Sequence, residues 1–382
     1  MKITATFDAG NIEVLTAEHP DDIHLQIRVD HGSTHYQWFH YRVSGVRGVP
    51  LTMHLDNAKG SSFSPGWNDY QAVASYDRAR WFRVPTRYDG ERLTIAHTPA
   101  ADHVYYAYFA PYSLERHADL VARCLAADGV RGEVLTSTLD GRDLDLLVIG
   151  EPAPDRATCW IIARQHPGES MAEWLVEGLL ERLLDLEDPI ARTLRQRAVF
   201  YVVPNMNPDG SFRGHLRTNA CGANLNREWL TPSAERSPEV LAVRTKMEAT
   251  GVDFFLDVHG DEELPYNFTV GPDGVADLDP RLAPLQDAFE AALLARSPDF
   301  QREYGYPPTA PGEANMTMAS NYVARAFQCL SLTFEQPFKD ALSAPYPELG
   351  WAPGRARHLG AAILGALQAV LPRLRAPAGD AR

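Results

Sequence analysis

Apolar residues gather in four short runs in the C-terminal two thirds of the chain: residues 158–163 (TCWIIA), Ala198–Val203 (AVFYVV), Phe254–Val258 (FFLDV) and 330–334 (LSLTF). The runs are rich in β-branched and aromatic residues and do not alternate with polar ones, the pattern of strands covered on both faces. Helical spacing follows the first run, in Met171, Trp174, Leu175, Leu179, Leu183 and Leu186. A last helix is predicted over about 355–371, with Leu359, Ile363, Leu367 and Val370 on one stripe. This alternation predicts an α/β domain with a mixed, largely parallel sheet flanked by helices.

Residues 1 to about 110 carry a different period. Residues 23–29 (IHLQIRV), 37–43 (QWFHYRV) and Leu51–Leu55 (LTMHL) alternate, and 92–96 (RLTIA) and 104–109 (VYYAYF) follow between turn signals. That predicts an all-β antiparallel sandwich over 1–110. Ser113 is placed to N-cap a helix with Leu114, Ala118, Val121 and Leu125 on one stripe, so a second domain is expected over 111–382. Residues 304–315, rich in Pro and Gly, are expected as a loop near the mouth of a site, and 376–382 as a frayed tail.

Composition narrows the function classes. A length of 382 residues suits two domains. The net charge of −14 argues against a general nucleic-acid binder. No segment approaches the ~18 apolar residues of a membrane span, and the N-terminus lacks a charged-then-apolar signal pattern. Cys124, Cys159, Cys221 and Cys329 form no C-x-x-C pair, which argues against a cysteine metal site. Together these features predict a cytoplasmic, reducing location. Cys159 and Cys329 fall in predicted core strands, whereas Cys221, in the loop before Asn224, is a candidate to line a site. His24, His31, His40 and His54 lack ligand spacing and are expected at the surface or half-buried in structural roles.

Candidate chemistry sits just past the apolar runs: His166 after the first, Asn205 after the second, His259 after the third and Glu335 after the fourth. Open α/β sheets bind ligands at the carboxyl ends of their strands, so these groups are expected on one edge. His166 and Glu169, in Arg164-Gln165-His166-Pro167-Gly168-Glu169, and His259, in Asp257-Val258-His259-Gly260, supply two imidazoles and a carboxylate. That set is a common zinc triad with a fourth position open, and implies one zinc per chain. Glu335, ending an apolar strand, is the candidate general base and acid. Asn207-Pro208-Asp209-Gly210 reads as turn chemistry that carries the next loop across the sheet edge. Beyond it, Arg217 is a candidate to stabilise an oxyanion, and Arg227, with Asn226, to grip a carboxylate by bidentate bonds. Asp257 shares a strand face with His259 and is placed to orient it or to cap a loop. Asp261, in Asp261-Glu262-Glu263, either faces the cleft, where it tunes the metal or favours basic residues in a substrate, or belongs to a solvated loop.

His166-x-x-Glu169, Arg217, Asn226-Arg227, His259 and Glu335 occur in the order found in zinc metallocarboxypeptidases. The chain most closely resembles the cytosolic carboxypeptidase subfamily, as a bacterial-type member. The stretches that carry the resemblance are 166–172 (HPGESMA), 207–210 (NPDG), 224–227 (NLNR) and 257–260 (DVHG), with 9–13 (AGNIE), 37–43 (QWFHYRV) and 108–113 (YFAPYS) in the N-terminal third. The resemblance implies a β-sandwich beside a carboxypeptidase-like catalytic domain. It implies zinc on His166, Glu169 and His259, Glu335 as general base, Arg217 at the oxyanion, and Asn226 with Arg227 on the terminal carboxylate. The implied substrates are peptide or protein C-terminal tails, cut at a peptide or a glutamyl-type isopeptide bond; nucleic acid and membrane are not expected partners.

Three positions depart from the pattern. Asn224 stands where the subfamily usually has Asp, a group that orients the first zinc-ligand histidine. Relatives that remove glutamate tails carry an arginine before the catalytic Glu, but residues 315–321 (NMTMASN) hold no cation. Tyr304, Tyr306 and Tyr322 do not match the spacing of the mobile tyrosine of pancreatic-type relatives. Two other readings use the same residues: a zinc deacylase of small N-acyl amino acids, and an inert peptide-binding relative, which predicts a missing ligand or base where none is missing.

Overall fold

The computed structural model describes residues 1–375, so the expected tail over 376–382 lies outside the described residues. The N-terminal region is a pair of five-stranded sheets. One orders Lys2–Thr4, His40–Ser44, His103–Ala107, Val73–Ser75 and Phe82–Arg83; the other orders Glu13–His19, Asp22–Gln26, Leu51–Leu55, Leu93–His97 and Thr86–Tyr88. Alternation places Ile23, Leu25, Leu51, Met53, Leu55, Leu93 and Ile95 inward from one sheet and Tyr41, Val43, Val104 and Tyr106 from the other, all buried. The strands are antiparallel with one exception: Asp22–Gln26 pairs with Leu51–Leu55 in parallel. The chain between them crosses to the opposite sheet as His40–Ser44 and returns running the same way.

The C-terminal sheet orders Val130–Ser137, Asp143–Ile149, Ala198–Val203, Ala157–Ala163, Phe254–Val258, Leu330–Glu335 and Phe268–Val270. The four apolar runs are its central strands and are mutually parallel. Three antiparallel pairings at the margins join the three parallel ones at the centre, so the sheet is mixed, as expected. Successive residues of the central strands enter opposite cores. Cys159, Ile161, Phe200, Phe254 and Leu332 pack under Met171–Leu184, Leu282–Leu294 and Pro353–Val370, while Trp160, Ile162, Val199 and Phe255 pack under Pro238–Thr250 and Ala319–Phe327. Both faces are thus apolar, which is why the runs did not alternate. The first of these cores continues into the sandwich, where Phe338 stacks on Tyr108 with ring centroids 4.3 Å apart.

Four expectations change. Leu186 lies past the helix end and is exposed. Ser113 does cap Leu114–Leu125, accepting from Arg116 N, but the buried stripe is His117, Leu120 and Cys124, with Ala118 and Leu125 exposed. His117 faces inward because Glu173 and Asp145 pair with its two ring nitrogens, at 2.6 and 3.1 Å. His40 is wholly buried in an aromatic nest of Phe7, Trp38, Trp81 and Tyr105, not half-exposed. Asn207-Pro208-Asp209-Gly210 is a helix start, not a turn: Asn207 caps Pro208–Arg213 by accepting from Gly210 N, and Pro208 occupies the first turn, where its missing N–H costs nothing. No helix of the described residues is long and apolar enough to cross a membrane.

Candidate metal centre

The strand Ala157–Ala163 ends in a turn at Arg164, whose φ of 60° is left-handed. A bulky residue there costs about 1 kcal/mol or more. Its buried guanidinium holds it: Nε donates to Pro167 O at 2.9 Å, and Nη1 to Tyr112 O at 2.8 Å and Glu173 Oε2 at 2.7 Å. Gln165 next to it donates from Nε2 to Asp257 Oδ2 at 2.7 Å and accepts from Trp229 Nε1 at 2.9 Å. Gly168 then passes against the loop at Leu216, donating to Leu216 O at 2.9 Å; a Cβ there would lie 2.9 Å from the same oxygen. The turn that carries His166 and Glu169 is therefore built from buried bonds on every side.

That turn brings His166 and Glu169 to His259. One donor atom from each lies within 4.8 Å of the others, and all three residues are buried. His166 Nδ1 is 2.6 Å from Glu169 Oε1, His259 Nδ1 is 2.8 Å from Glu169 Oε2, and the two Nδ1 atoms are 3.2 Å apart. The far nitrogens are engaged outward: His166 Nε2 with Asn224 Oδ1 at 3.0 Å, and His259 Nε2 with Asp257 Oδ2 at 2.9 Å. Each imidazole thus presents Nδ1 to the cluster because Nε2 is held elsewhere. Gly260 N also donates to Glu169 Oε2 at 3.0 Å.

The charges are arranged for a cation. Burial and the Arg217 charge press the His166 pKa down to about 3, which leaves a neutral imidazole with a free lone pair. Burial would raise Glu169, yet His166 and His259 outweigh it and hold the carboxyl below its ordinary range. His259 is raised well above 6.5: burial opposes, and Asp257 and Glu169 prevail. Two imidazole nitrogens bound to one zinc at about 2.0–2.1 Å in tetrahedral geometry stand about 3.3 Å apart, close to the separation seen here. The donor set fits zinc, and the proton on His259 is the charge a metal displaces.

The donors open on a cavity of about 490 Å³ that also takes in Phe63, Arg217, Asn226, Arg227, Asp261, Glu262, Glu263, Leu264, Tyr306, Met318 and Glu335. Neither Arg217 nor Arg227 forms an ion pair among the described residues. Arg217 lies over the Phe63 ring, its Cζ 5.2 Å from the centroid. Arg227 donates from Nη1 to Asn226 O at 2.6 Å. The Asn226 amide oxygen is occupied, since Oδ1 accepts from Ala319 N at 2.8 Å; Nδ2 lies 3.4 Å from His259 Nε2, which is itself engaged with Asp257. Glu335 is buried, and its Oε2 has no hydrogen-bond partner. Burial pushes it up to about 8, against the pull of His259 and with the push of Glu169 and Asp261. Asp261 faces the cleft, as one of its sequence readings had it, and accepts from Tyr306 Oη at 2.5 Å. Of the three tyrosines near the expected loop, Tyr306 alone is on the cavity wall. Cys221 is exposed and does not line the cavity; its Sγ lies 3.2 Å from Asn219 Oδ1.

The model of the family described as zinc carboxypeptidase matches residues 126–343, more than half of the chain. The chain belongs to the zinc carboxypeptidases. Residues 3–109 match the cytosolic carboxypeptidase N-terminal domain. A metallo-carboxypeptidase from Burkholderia cenocepacia superposes with a TM-score of 0.94 at 49% identity, over 96% of this chain and 98% of that one. One from Pseudomonas aeruginosa, in complex with (2-guanidinoethylmercapto)succinic acid, gives 0.95 at 48% identity, over 98% and 100%. Human cytosolic carboxypeptidase 4 is 30% identical over 321 residues, 71% of this chain; the chain spans 29% of that protein's length. As a zinc carboxypeptidase, the protein is a metal-dependent hydrolase of a family that acts on peptide or protein C termini, and its cofactor is zinc.

The seven residues given metal, catalytic or substrate roles from the sequence line this one cavity: His166, Glu169, Arg217, Asn226, Arg227, His259 and Glu335. Asn205 does not line it and is buried, with its Nδ2 donating to Ser211 Oγ at 3.2 Å. Two contributors were missed. Arg164 stands in the quoted motif, and its place between an apolar strand and the histidine was the available signal. Phe63 gave no signal, because nothing in spacing or periodicity links the sandwich to the cavity.

Proposed function

We propose that this zinc carboxypeptidase removes single residues from peptide C termini, with His166, Glu169 and His259 as the metal ligands and Glu335 as general base. The observation that carries the reading is the pair of guanidinia without ion partners, Arg217 and Arg227, in one cavity with the donor cluster and a buried, unpartnered Glu335. Zinc bound there supplies a Lewis acid that polarises a carbonyl and lowers the pKa of its water towards about 7. Arg227 anchors the terminal carboxylate through paired N–H donors, and the Asn226 backbone steadies its Nη1. That anchor sets the last peptide bond against the donor cluster. Arg217 donates to the oxygen that gains charge as the carbonyl is attacked. Glu335 takes the proton of the attacking water and returns it to the leaving amine, for which a carboxylate made more basic by burial is suited.

The preferred C-terminal residue bears a basic or neutral side chain rather than glutamate. Asp261 and Glu263 line the cavity, and residues 315–321 carry no cation to meet an acidic side chain. The (2-guanidinoethylmercapto)succinic acid in complex with the Pseudomonas relative carries a guanidine and is in keeping with this. Phe63 on the cavity wall, contributed by the sandwich, favours a peptide over a small N-acyl amino acid.

Zinc-loaded protein incubated with hexapeptides ending in Arg, Lys, Leu or Glu, each as free acid and as amide, tests the reading by mass spectrometry. The free acids ending in Arg, Lys or Leu should lose one residue, and the amides should resist. Equal attack on acids and amides would remove the carboxypeptidase reading, and preferred release of Glu the side-chain assignment.

A further inference from the structure

The loop that carries Arg217 is gripped from the sandwich. The backbone N–H groups of Leu216, Arg217 and Thr218 donate to the two oxygens of Asp30 at 2.7, 2.8 and 3.0 Å, and the Thr218 hydroxyl adds a fourth bond at 3.1 Å. Asp30 is 2% exposed and forms no ion pair among the described residues, so N–H and O–H donors alone meet its charge. Its own backbone is tied down, with its N–H donating to His35 O at 2.8 Å. Neighbouring contacts repeat the pattern. Asn11 Nδ2 donates to Gly214 O at 2.8 Å, and His31 N donates to His215 Nε2 at 3.1 Å. The Arg217 side chain is then met by a second sandwich residue, since its Cζ lies 5.2 Å from the centre of the Phe63 ring.

Three consecutive amides on one buried carboxylate fix the backbone on both sides of Arg217. An aromatic face under the guanidinium limits where its donors can point. We propose that Asp30, with Phe63, is a positioning residue for Arg217: the sandwich supplies the cradle that aims this guanidinium at the reacting carbonyl. The inference rests on the reading of Arg217 as the oxyanion donor. It gives the N-terminal region a part in the chemistry, without which the Arg217 loop loses its aim while the donor cluster of His166, Glu169 and His259 stays in place.

The test is a double-mutant cycle of Asp30→Asn with Arg217→Ala in the full-length zinc enzyme, on a peptide the wild type cleaves. Asn keeps one acceptor and turns an amide NH₂ toward the donors. The single Asp30→Asn change should lower kcat by about 100-fold, the scale of a misplaced catalytic group, with KM moved less than about threefold and zinc content unchanged. In the Arg217→Ala background the same change should cost under about threefold, because residues acting through one another are not additive. An equal loss in both backgrounds, with Arg217→Ala impaired, overturns the positioning role and leaves the Arg217 assignment standing. A fully active Arg217→Ala enzyme overturns both. If Asp30→Asn does not fold, Phe63→Leu takes its place in the cycle: a kcat loss confined to the Arg217 background supports the cradle, and no loss or an additive loss rejects it.

Discussion

Asp257 Oδ2 lies 2.9 Å from His259 Nε2, and the same oxygen accepts from Gln165 Nε2 at 2.7 Å. One buried carboxylate thus sets the ring of His259 and ties the strand Phe254–Val258 to the turn that carries His166. Groups that orient a ligand imidazole typically contribute about 10–100-fold to metal affinity. Asp257→Asn is expected to weaken zinc binding by that factor in a chelator competition, with kcat per bound zinc changed much less. Undiminished affinity would show that the aspartate serves the fold alone.

Glu335→Gln tests the proton carrier. Positioned general bases contribute about 10²–10⁴-fold, so kcat should fall within that range, while zinc content and binding of an uncleaved inhibitor stay at wild-type values. A variant that keeps more than a tenth of wild-type turnover would move the role to another group.

Arg227 is assigned to substrate binding, so its loss should appear in KM. A hydrogen bond to a charged group contributes about 1.5–3 kcal/mol, which predicts a rise in KM of about 10–100-fold for Arg227→Ala on free-acid peptides. Arg227→Lys should recover part of this, as a point charge cannot reproduce the paired donors. Steady-state kinetics showing unchanged KM and a collapsed kcat would place Arg227 in the chemical step.

His117 makes stability depend on pH. Burial lowers its pKa, but Glu173 and Asp145 outweigh burial and raise it to about 9. A folded pKa above the unfolded 6.5 means that the stabilisation is complete below about pH 6.5 and is lost as pH rises through about 9. The shift corresponds to up to about 3 kcal/mol. Urea unfolding of wild type and His117→Gln should therefore differ more at pH 6 than at pH 9.5. A gap independent of pH would mean that the imidazole is not protonated in the folded protein.

How much of this was legible in the sequence differs from region to region, for physical reasons. The central strands were readable because both of their faces are apolar, and the donors were readable because strand ends collect ligands. The marginal strands Val130–Ser137 and Asp143–Ile149 escaped notice: the first is an edge strand with half-exposed polar positions and no apolar run. In Leu114–Leu125 two stripes compete, and apolar periodicity chose the wrong one because the buried side carries His117, paired with charges on distant elements. Asn-Pro-Asp-Gly suits a turn and a helix start alike, and only the Gly210 N–H bond to Asn207 decides between them. Asp30 was out of reach for a different reason: its partners lie 186 to 188 residues downstream, and only tertiary packing joins them.

The account depends most on where the metal sits. Anomalous diffraction at the zinc edge, from crystals of the zinc-loaded protein, locates it directly. The account predicts one strong peak per chain, within about 2.3 Å of His166 Nδ1, His259 Nδ1 and a Glu169 oxygen. A zinc-replete, active crystal with its peak elsewhere, or with either imidazole turned away from it, would contradict the account.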